Sequence, residues 1–227
     1  MTKYFLLDLF SGAGGCTKGY QLAGFTVIGV DISNQPHYIG DGFILGDALL
    51  VMDLLLAGSS VKDGVGRDWY LSDFAAIHAS PPCQFASVET RMEYRANHKN
   101  YIPEVRSLLV KSNKPYVIEN VENARRHLNN PIKLCGSMFG LGVWRHRYFE
   151  CPALSVLTPT CNHSGVPVLI SGTPRRNGNR KEFTAQQRRD ASGLHWMTRV
   201  EMDQAIPPAF TKFVGDHLMT HLNRVST

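Results

Sequence analysis

Three short stretches carry side chains able to do chemistry. Residues 79–87 read Ala-Ser-Pro-Pro-Cys-Gln-Phe-Ala-Ser, which puts Cys83 behind two prolines and just after the apolar run Phe74-Ala75-Ala76-Ile77. A thiol there is either a small buried hydrophobe or, once ionised, a nucleophile. Pro81 and Pro82 favour the second, because they stiffen a strand exit, remove two backbone donors and present the cysteine at a corner. Glu119-Asn120-Val121 follows the apolar run 116–118, and Arg145-His146-Arg147 holds two permanent cations. A carboxyl in a confined site holds or delivers a proton, and a guanidinium forks onto an oxygen.

The elements that must position these groups alternate between two periodicities. An apolar run over 4–9, the glycine turn Ser11-Gly12-Ala13-Gly14-Gly15, a helix-compatible stretch to Ala23, the β-branched run 26–30 and then Asp31 read as strand, turn, helix, strand, acid. Further strands are predicted at 74–79 and 116–118, and helices near 48–56, 103–110 and 121–128. The alternation predicts an α/β fold with a doubly wound, mainly parallel sheet and a small insert. Past about residue 150 the pattern gives way to Pro, Thr, Gly and basic residues, until a helical end from Thr198 that is broken by Pro207-Pro208. The chain therefore divides into a catalytic and cofactor-binding domain at 1–150, a small basic insert at 151–195 and a returning C-terminal helix at 196–227.

In open parallel sheets the ligand sits at the carboxyl ends of the strands, and an acid after the second strand takes ribose hydroxyls. Asp31 stands where that acid belongs. The nicotinamide fingerprint G-x-G-x-x-G fails, since Gly12 and Gly14 are followed by Thr17 at the third position. A nucleoside-containing ligand without a required pyrophosphate fits better, and S-adenosylmethionine is one.

With 227 residues, 43% of them apolar, the chain is long enough to bury a sizeable core. Five cysteines without a dense repeating pattern argue against a disulfide framework and for a reducing compartment. No apolar run is long enough for a signal peptide or a bilayer span, so a cytoplasmic location and no membrane partner are expected. The formal charge is +5, and Arg175, Arg176, Arg180, Lys181, Arg188, Arg189 and Arg199, set against Glu182 and Asp190, account for the whole excess. Such a basic segment suits a polyanionic backbone, where released counterions drive binding.

Taken in order, Leu7-Asp8-Leu9-Phe10-Ser11-Gly12-Ala13-Gly14-Gly15, Pro82-Cys83-Gln84, Glu119-Asn120-Val121 and Arg145-His146-Arg147 resemble the DNA cytosine-5 methyltransferases, in a small bacterial or phage form with a short target-recognition insert. The resemblance covers about residues 4 to 150, with a weaker match at Gln204-Ala205-Ile206-Pro207-Pro208. It implies that Cys83 adds to carbon 6 of cytosine, that Glu119 supplies the proton at N3, and that Arg147 meets the carbonyl O2. Arg145 is implied as a nearby phosphate or site-loop contact, and Asn120 as a brace for the Pro-Cys loop. For S-adenosylmethionine it implies Phe10, the backbone at Gly12 and Gly14, Asp31, Ile32, Asp47, Pro82 and Gln204. The target base must leave the duplex to be reached. The loop 85–99, with Arg91, Arg95, His98 and Lys99, is the candidate for closing over it, and Arg175, Arg176, Arg180, Lys181, Arg188 and Arg189 form the candidate recognition surface. DNA, double-stranded, is the expected partner of a monomer.

The sequence departs from the family pattern in four places, one of them Asp203-Gln204-Ala205-Ile206 where the family has Gly-Asn-Ala/Ser-Val, so that the asparagine contact to the cofactor would come from Gln204. Phe85-Ala86-Ser87 follows Pro-Cys-Gln without the usual spacer residue, Val143 replaces a glutamine before the two arginines, and about 45 residues separate Phe149 from Trp196 where relatives carry a longer region. The short insert keeps open two alternatives: the same chemistry on RNA or a cytosine nucleotide, and a DNA-binding module without turnover. Cys151, Cys161 and His163 form Cys-x9-Cys-x-His with Cys135 nearby. Zinc could staple an insert lacking its own core, but the spacing matches no standard finger and no metal is assigned.

Overall fold

The computed structural model describes residues 3–86, 98–170 and 183–225. The strands are β1 (Phe5–Leu9), β2 (Thr26–Asp31), β3 (Gly42–Leu45), β4 (Val61–Lys62), β5 (Asp68–Trp69), β6 (Phe74–Ala79), β7 (Tyr116–Asn120), β8 (Ile132–Leu134) and β9 (Arg147–Glu150). The helices are α1 (Gly15–Leu22), α2 (Ala48–Leu56), α3 (Ile102–Lys111), α4 (Ala185–Ser192), α5 (Arg199–Gln204) and α6 (Pro208–Val225). Seven strands form one sheet in the order β3-β2-β1-β6-β7-β9-β8, while β4 and β5 make a separate ribbon. The pairs from β3 through β7 are parallel, and β9 runs antiparallel to both neighbours.

Both faces of the sheet are buried, which is why its strands read as near-continuous apolar runs. Leu7 and Leu9, Ile28 and Val30, Ile77 and Ile118 pack under Met52 and Leu55 of α2 and Val105 and Leu109 of α3. Their neighbours of opposite parity, Leu6, Val27, Ala76, Val117 and Phe149, face Tyr20 of α1 and Phe210, Val214 and Leu218 of α6. Each of the larger aliphatic and phenylalanine side chains among them adds roughly 1.5–3 kcal/mol of apolar burial. The helix pair α1 and α6 approaches closely: a Cβ at Gly19 would lie 2.0 Å from Thr211 Oγ1 and 2.3 Å from the Pro208 carbonyl. Thr211 Oγ1 also donates to the Cys16 carbonyl at 2.8 Å, so the C-terminal helix is locked to the helix that follows the glycine turn.

The helix predicted at 121–128 is instead a 3₁₀ segment, Glu122–His127. Ala124 is its single buried residue, so there is no apolar stripe wide enough to hold a full α-helix against the core. A third, smaller core joins Ala13 and Val143 to Ile170, Leu194, Met197 and Met202. No helix among the described residues is long and apolar enough to cross a membrane.

Candidate active site

The chain leaves β1 through Phe10, whose φ of 61° is left-handed. For a bulky residue that conformation costs about 1–2 kcal/mol and tends to occur at functional turns. Gly12 follows at φ 50°, and a Cβ there would meet nothing within 4 Å. Open space is therefore left where a side chain would stand. Asp31, at the end of β2, closes the turn: Oδ2 accepts from the Gly12 N–H at 2.9 Å and Oδ1 from the Ser33 N–H at 3.0 Å. Asp47 caps α2, with Oδ1 accepting from Leu49 at 2.8 Å and Leu50 at 3.3 Å. From the C-terminal region, Trp196 Nε1 donates to the Ala13 carbonyl at 2.8 Å and fixes the far side of the turn.

A cleft of about 1010 Å³ opens over the carboxyl ends of these strands. It is lined by Phe10, Gly12, Asp31, Ile32, Asp47, Pro82 and Gln204, and also by Cys83, Glu119, Asn120, Arg145 and Arg147. Its volume lies at the upper end for small-molecule sites, leaving room for a nucleoside-sized ligand and a second planar group. Gly14 is not in the lining. It sits behind the turn, where a Cβ would come within 3.1 Å of Ile39 and 3.3 Å of Tyr38, and Gly15 lines the cleft in its place.

Cys83 is half-buried on the Ser80-Pro81-Pro82 exit of β6. Burial and the nearby Glu119 raise its pKa, while Arg147 and Arg145 pull it partly back. Asn120, buried at the end of β7, donates from Nδ2 to the Pro81 carbonyl at 2.9 Å and accepts from the Val121 N–H at 3.0 Å. That pair of bonds ties the Pro-Cys corner to the neighbouring strand. Replacing Asn120 by alanine leaves a buried carbonyl and a half-buried N–H without partners, at about 1–3 kcal/mol. Urea denaturation of Asn120→Ala is expected to show a loss of that size, with weaker reactivity of Cys83 toward an alkylating probe that otherwise enters the cleft.

Glu119 is 5% exposed. Burial raises its pKa, against lowering by Arg147, a hydrogen bond from Ser80 and Arg145. Arg147 Nε stands 3.2 Å from Glu119 Oε1, off the angle for a hydrogen bond, so Oε1 stays unsatisfied. Arg147 Nη1 donates to the His146 carbonyl at 2.8 Å, which aims the guanidinium into the cleft. Behind Glu119 runs a chain absent from the sequence reading. Tyr20 Oη and His78 Nδ1 are 2.8 Å apart, and His78 Nε2 lies 2.9 Å from Ser80 Oγ. Burial lowers the His78 pKa to about 3, so the ring is neutral. Tyr20, His78 and Ser80 thus form one buried hydrogen-bonded chain, whose direction follows the tautomer of His78. A histidine inside the apolar run of β6 was the signal available for it.

Several charged residues sit differently from expectation. Arg145 reaches away from the reacting groups: Nη1 donates to the Met202 carbonyl at 3.3 Å and Nη2 to the Asp203 carbonyl. It holds the end of α5, beside Gln204, and acts on Cys83 and Glu119 through its charge. Arg188 is not on a recognition surface. It is 7% exposed, donating to the Leu169 and Ile170 carbonyls from Nη1 and to the Phe183 carbonyl at 3.2 Å from Nε, so it braces the chain internally. Arg189 is half-buried, with Nε donating to the Met197 carbonyl at 3.0 Å. Lys99 is exposed and paired with Glu104. Arg91, Arg95, Arg175, Arg176, Arg180 and Lys181 lie outside the described residues.

No protein-family profile matches the sequence, and no curated protein matches it. Among solved structures, the chain is similar to a protein described as a DNA modification methyltransferase encoded within an E. coli prophage. The identity is 14% and the TM-score 0.56, over 97% of this chain and 100% of that one. A methyltransferase of Entamoeba histolytica aligns over 100% of both chains, at 13% identity and a TM-score of 0.47. The fold shared with the prophage protein is Rossmann-like, a mostly parallel seven-stranded sheet with helices on both faces.

Proposed function

We propose that the protein transfers a methyl group from S-adenosylmethionine to carbon 5 of cytosine in DNA, with Cys83 as the nucleophile. The observation that carries this reading is the meeting, in one cleft, of a cornered thiol, a buried carboxyl and a guanidinium with the glycine turn, Asp31 and Asp47. The cleft fits the cofactor on several counts. Gly12 leaves open space where a side chain would stand, Ile32 is 71% exposed and able to cover a purine, and Asp31 and Asp47 can accept from ribose and amino groups. Asp8 contributes a buried, unsatisfied carboxyl oxygen suited to a cation. Bound there, S-adenosylmethionine would supply an electrophilic methyl group.

The protein's own groups then make carbon 5 a nucleophile, which it is not in free cytosine. Cys83 sulfur bonds to carbon 6, Glu119 delivers its proton to N3, and Arg147 holds O2. Electron density released by the addition builds at carbon 5. Once carbon 5 is methylated, its proton passes to water, the carbon–sulfur bond breaks to restore the thiolate, and N3 returns its proton to Glu119. In duplex DNA this requires the base to leave the stack. Lys99, Arg189 and the basic residues of 91–95 and 175–181 are proposed to meet the phosphate backbone of duplex DNA bound by a monomer.

Transfer of labelled methyl from S-adenosylmethionine to duplex DNA, single-stranded DNA, RNA and a cytidine nucleotide tests the reading. Label is expected in 5-methylcytosine from duplex DNA. Cofactor binding without label in any DNA overturns it, and label in RNA or the nucleotide alone replaces the substrate.

A further inference from the structure

We infer that Cys135, His146, Cys161 and His163 hold one zinc ion in a closed tetrahedral site at the edge of the cleft, where His146 also lines it. One ligand atom from each of the four lies within 4.8 Å of all the others. The separations of individual pairs are those of a shared metal. Cys135 Sγ is 3.2 Å from His163 Nε2, the two Nε2 atoms of His146 and His163 are 3.3 Å apart, and Cys161 Sγ is 3.8 Å from His146 Nε2. Bond lengths of about 2.0 Å to nitrogen and about 2.3 Å to sulfur give tetrahedral edges of about 3.3 Å between nitrogens and about 3.5 Å between nitrogen and sulfur. Two thiolates and two imidazoles select zinc over magnesium or calcium, which take oxygen.

The sheet and the insert bring the ligands together from distant positions. Leu134 of β8 pairs with Arg147 of β9; one step further, Cys135 and His146 face each other as the strands end. Cys161 and His163 come from the segment 151–170, which has no helix or strand and exposes Leu157 (95%) and Val166 (84%). With so little apolar surface of its own to bury, that segment needs another anchor. Around the cluster the groups are held as metal ligands are. Trp144 stacks on the His163 ring at 4.4 Å and 15°. Ser137 Oγ lies 3.2 Å from Cys135 Sγ and accepts from the Asn162 N–H at 3.1 Å. His146 presents Nε2 to the cluster and Nδ1 to Glu122 Oε2 at 3.8 Å. Cys151, grouped with Cys161 and His163 on sequence spacing, is not a member. It is buried in the core shared with α6, with Sγ 3.9 Å from the Phe149 carbonyl.

The role is structural, since four protein ligands leave no open position. The ion would clamp the insert to the β8–β9 end of the sheet, with His146 flanked by Arg145 and Arg147. Elemental analysis of protein freed of any affinity tag and purified without added metal is expected to give about one zinc per chain. Cys161→Ala and His163→Ala, at the two insert ligands, should each lower zinc retained after dialysis by about tenfold or more while circular dichroism shows a folded chain. Cys151→Ala should retain it. Should a ligand variant fail to fold, cobalt(II) added to metal-stripped native protein reads the site directly, and tetrahedral d–d bands with thiolate-to-cobalt charge transfer are expected. Folded native protein without zinc, zinc unchanged in Cys161→Ala and His163→Ala, or an octahedral cobalt spectrum overturns the site. None of these readings depends on methyl transfer, so they stand or fall apart from the proposed activity.

Discussion

Cys83→Ser is expected to abolish the covalent complex with DNA carrying 5-fluorocytosine and to cut methyl transfer by roughly four orders of magnitude or more, while cofactor binding is preserved. Fluorine at carbon 5 blocks the final loss of a proton, so the adduct persists only where a thiolate has attacked and methyl has moved. A serine hydroxyl, far harder to ionise, does not attack. An adduct that survives in Cys83→Ser would remove Cys83 from the chemistry. The electrostatics of the pair add a pH signature. Burial raises both the Cys83 and the Glu119 pKa, and Arg147 opposes both shifts. Between the two pKa values the predominant form is thiol with carboxylate, whereas the reactive form is thiolate with carboxylic acid. These contain the same number of protons, so passing one proton from sulfur to oxygen creates the reactive form with none exchanged with solvent. The rate of the chemical step should therefore be flat across that interval and fall on either side. Glu119→Gln breaks the exchange: its residual rate should climb about tenfold per pH unit until the thiol ionises. Single-turnover transfer measured across the neutral range distinguishes a plateau from a slope.

The fold was legible because the sheet is buried on both faces, so that β1, β2, β6 and β7 stand out as apolar runs separated by turn residues. The glycine turn, the Pro-Pro-Cys corner and Glu119-Asn120 were legible for a related reason. Each sits within a few residues of a strand end, and a parallel sheet gathers its strand ends at one edge. What the sequence hid is partnership. Arg188 in a basic run reads like Arg180, yet its guanidinium is spent on the Leu169 and Ile170 carbonyls, and backbone acceptors leave no trace in composition. Arg145 likewise grips carbonyls of Met202 and Asp203, more than fifty positions away along the chain. The cysteine and histidine cluster was misgrouped because its register is set by β8 and β9 pairing antiparallel across the intervening chain, not by a finger-like spacing. The Tyr20–His78–Ser80 chain spans a helix, a strand and a loop, and only His78 stood out locally.

Asp8→Asn is expected to stabilise the protein, and to do so more strongly as pH rises. Asp8 is fully buried on β1, with Oδ2 accepting from Thr17 Oγ1 at 2.6 Å and Oδ1 unsatisfied. Burial, with a smaller contribution from Asp31, raises its pKa from 3.8 to about 7 despite the Thr17 bond. Because the folded pKa is the higher one, the folded chain holds this proton more tightly than the unfolded chain. Stability from Asp8 is complete below about pH 4, is lost as pH rises through about 7, and is gone by about pH 8. The full loss is about 4 kcal/mol at 1.36 kcal/mol per unit, of which about 2 kcal/mol falls between pH 5 and 7. Asparagine keeps the shape and the acceptor for Thr17 but cannot ionise. The gain of Asp8→Asn in urea denaturation should therefore grow by about 3 kcal/mol between pH 5 and 8, and a gain of constant size across that range would show that Asp8 does not titrate there. The same carboxyl explains why a protein would keep the burden. A cation bound in the cleft favours the ionised form, so S-adenosylmethionine, which carries ammonium and sulfonium charges, should bind more tightly as pH rises toward 7 and release a proton as it does. Titration calorimetry in two buffers of different ionisation enthalpy reads that proton directly. In Asp8→Asn the proton release should vanish and the affinity fall, the stability gained being offset by lost recognition at the floor of the cleft.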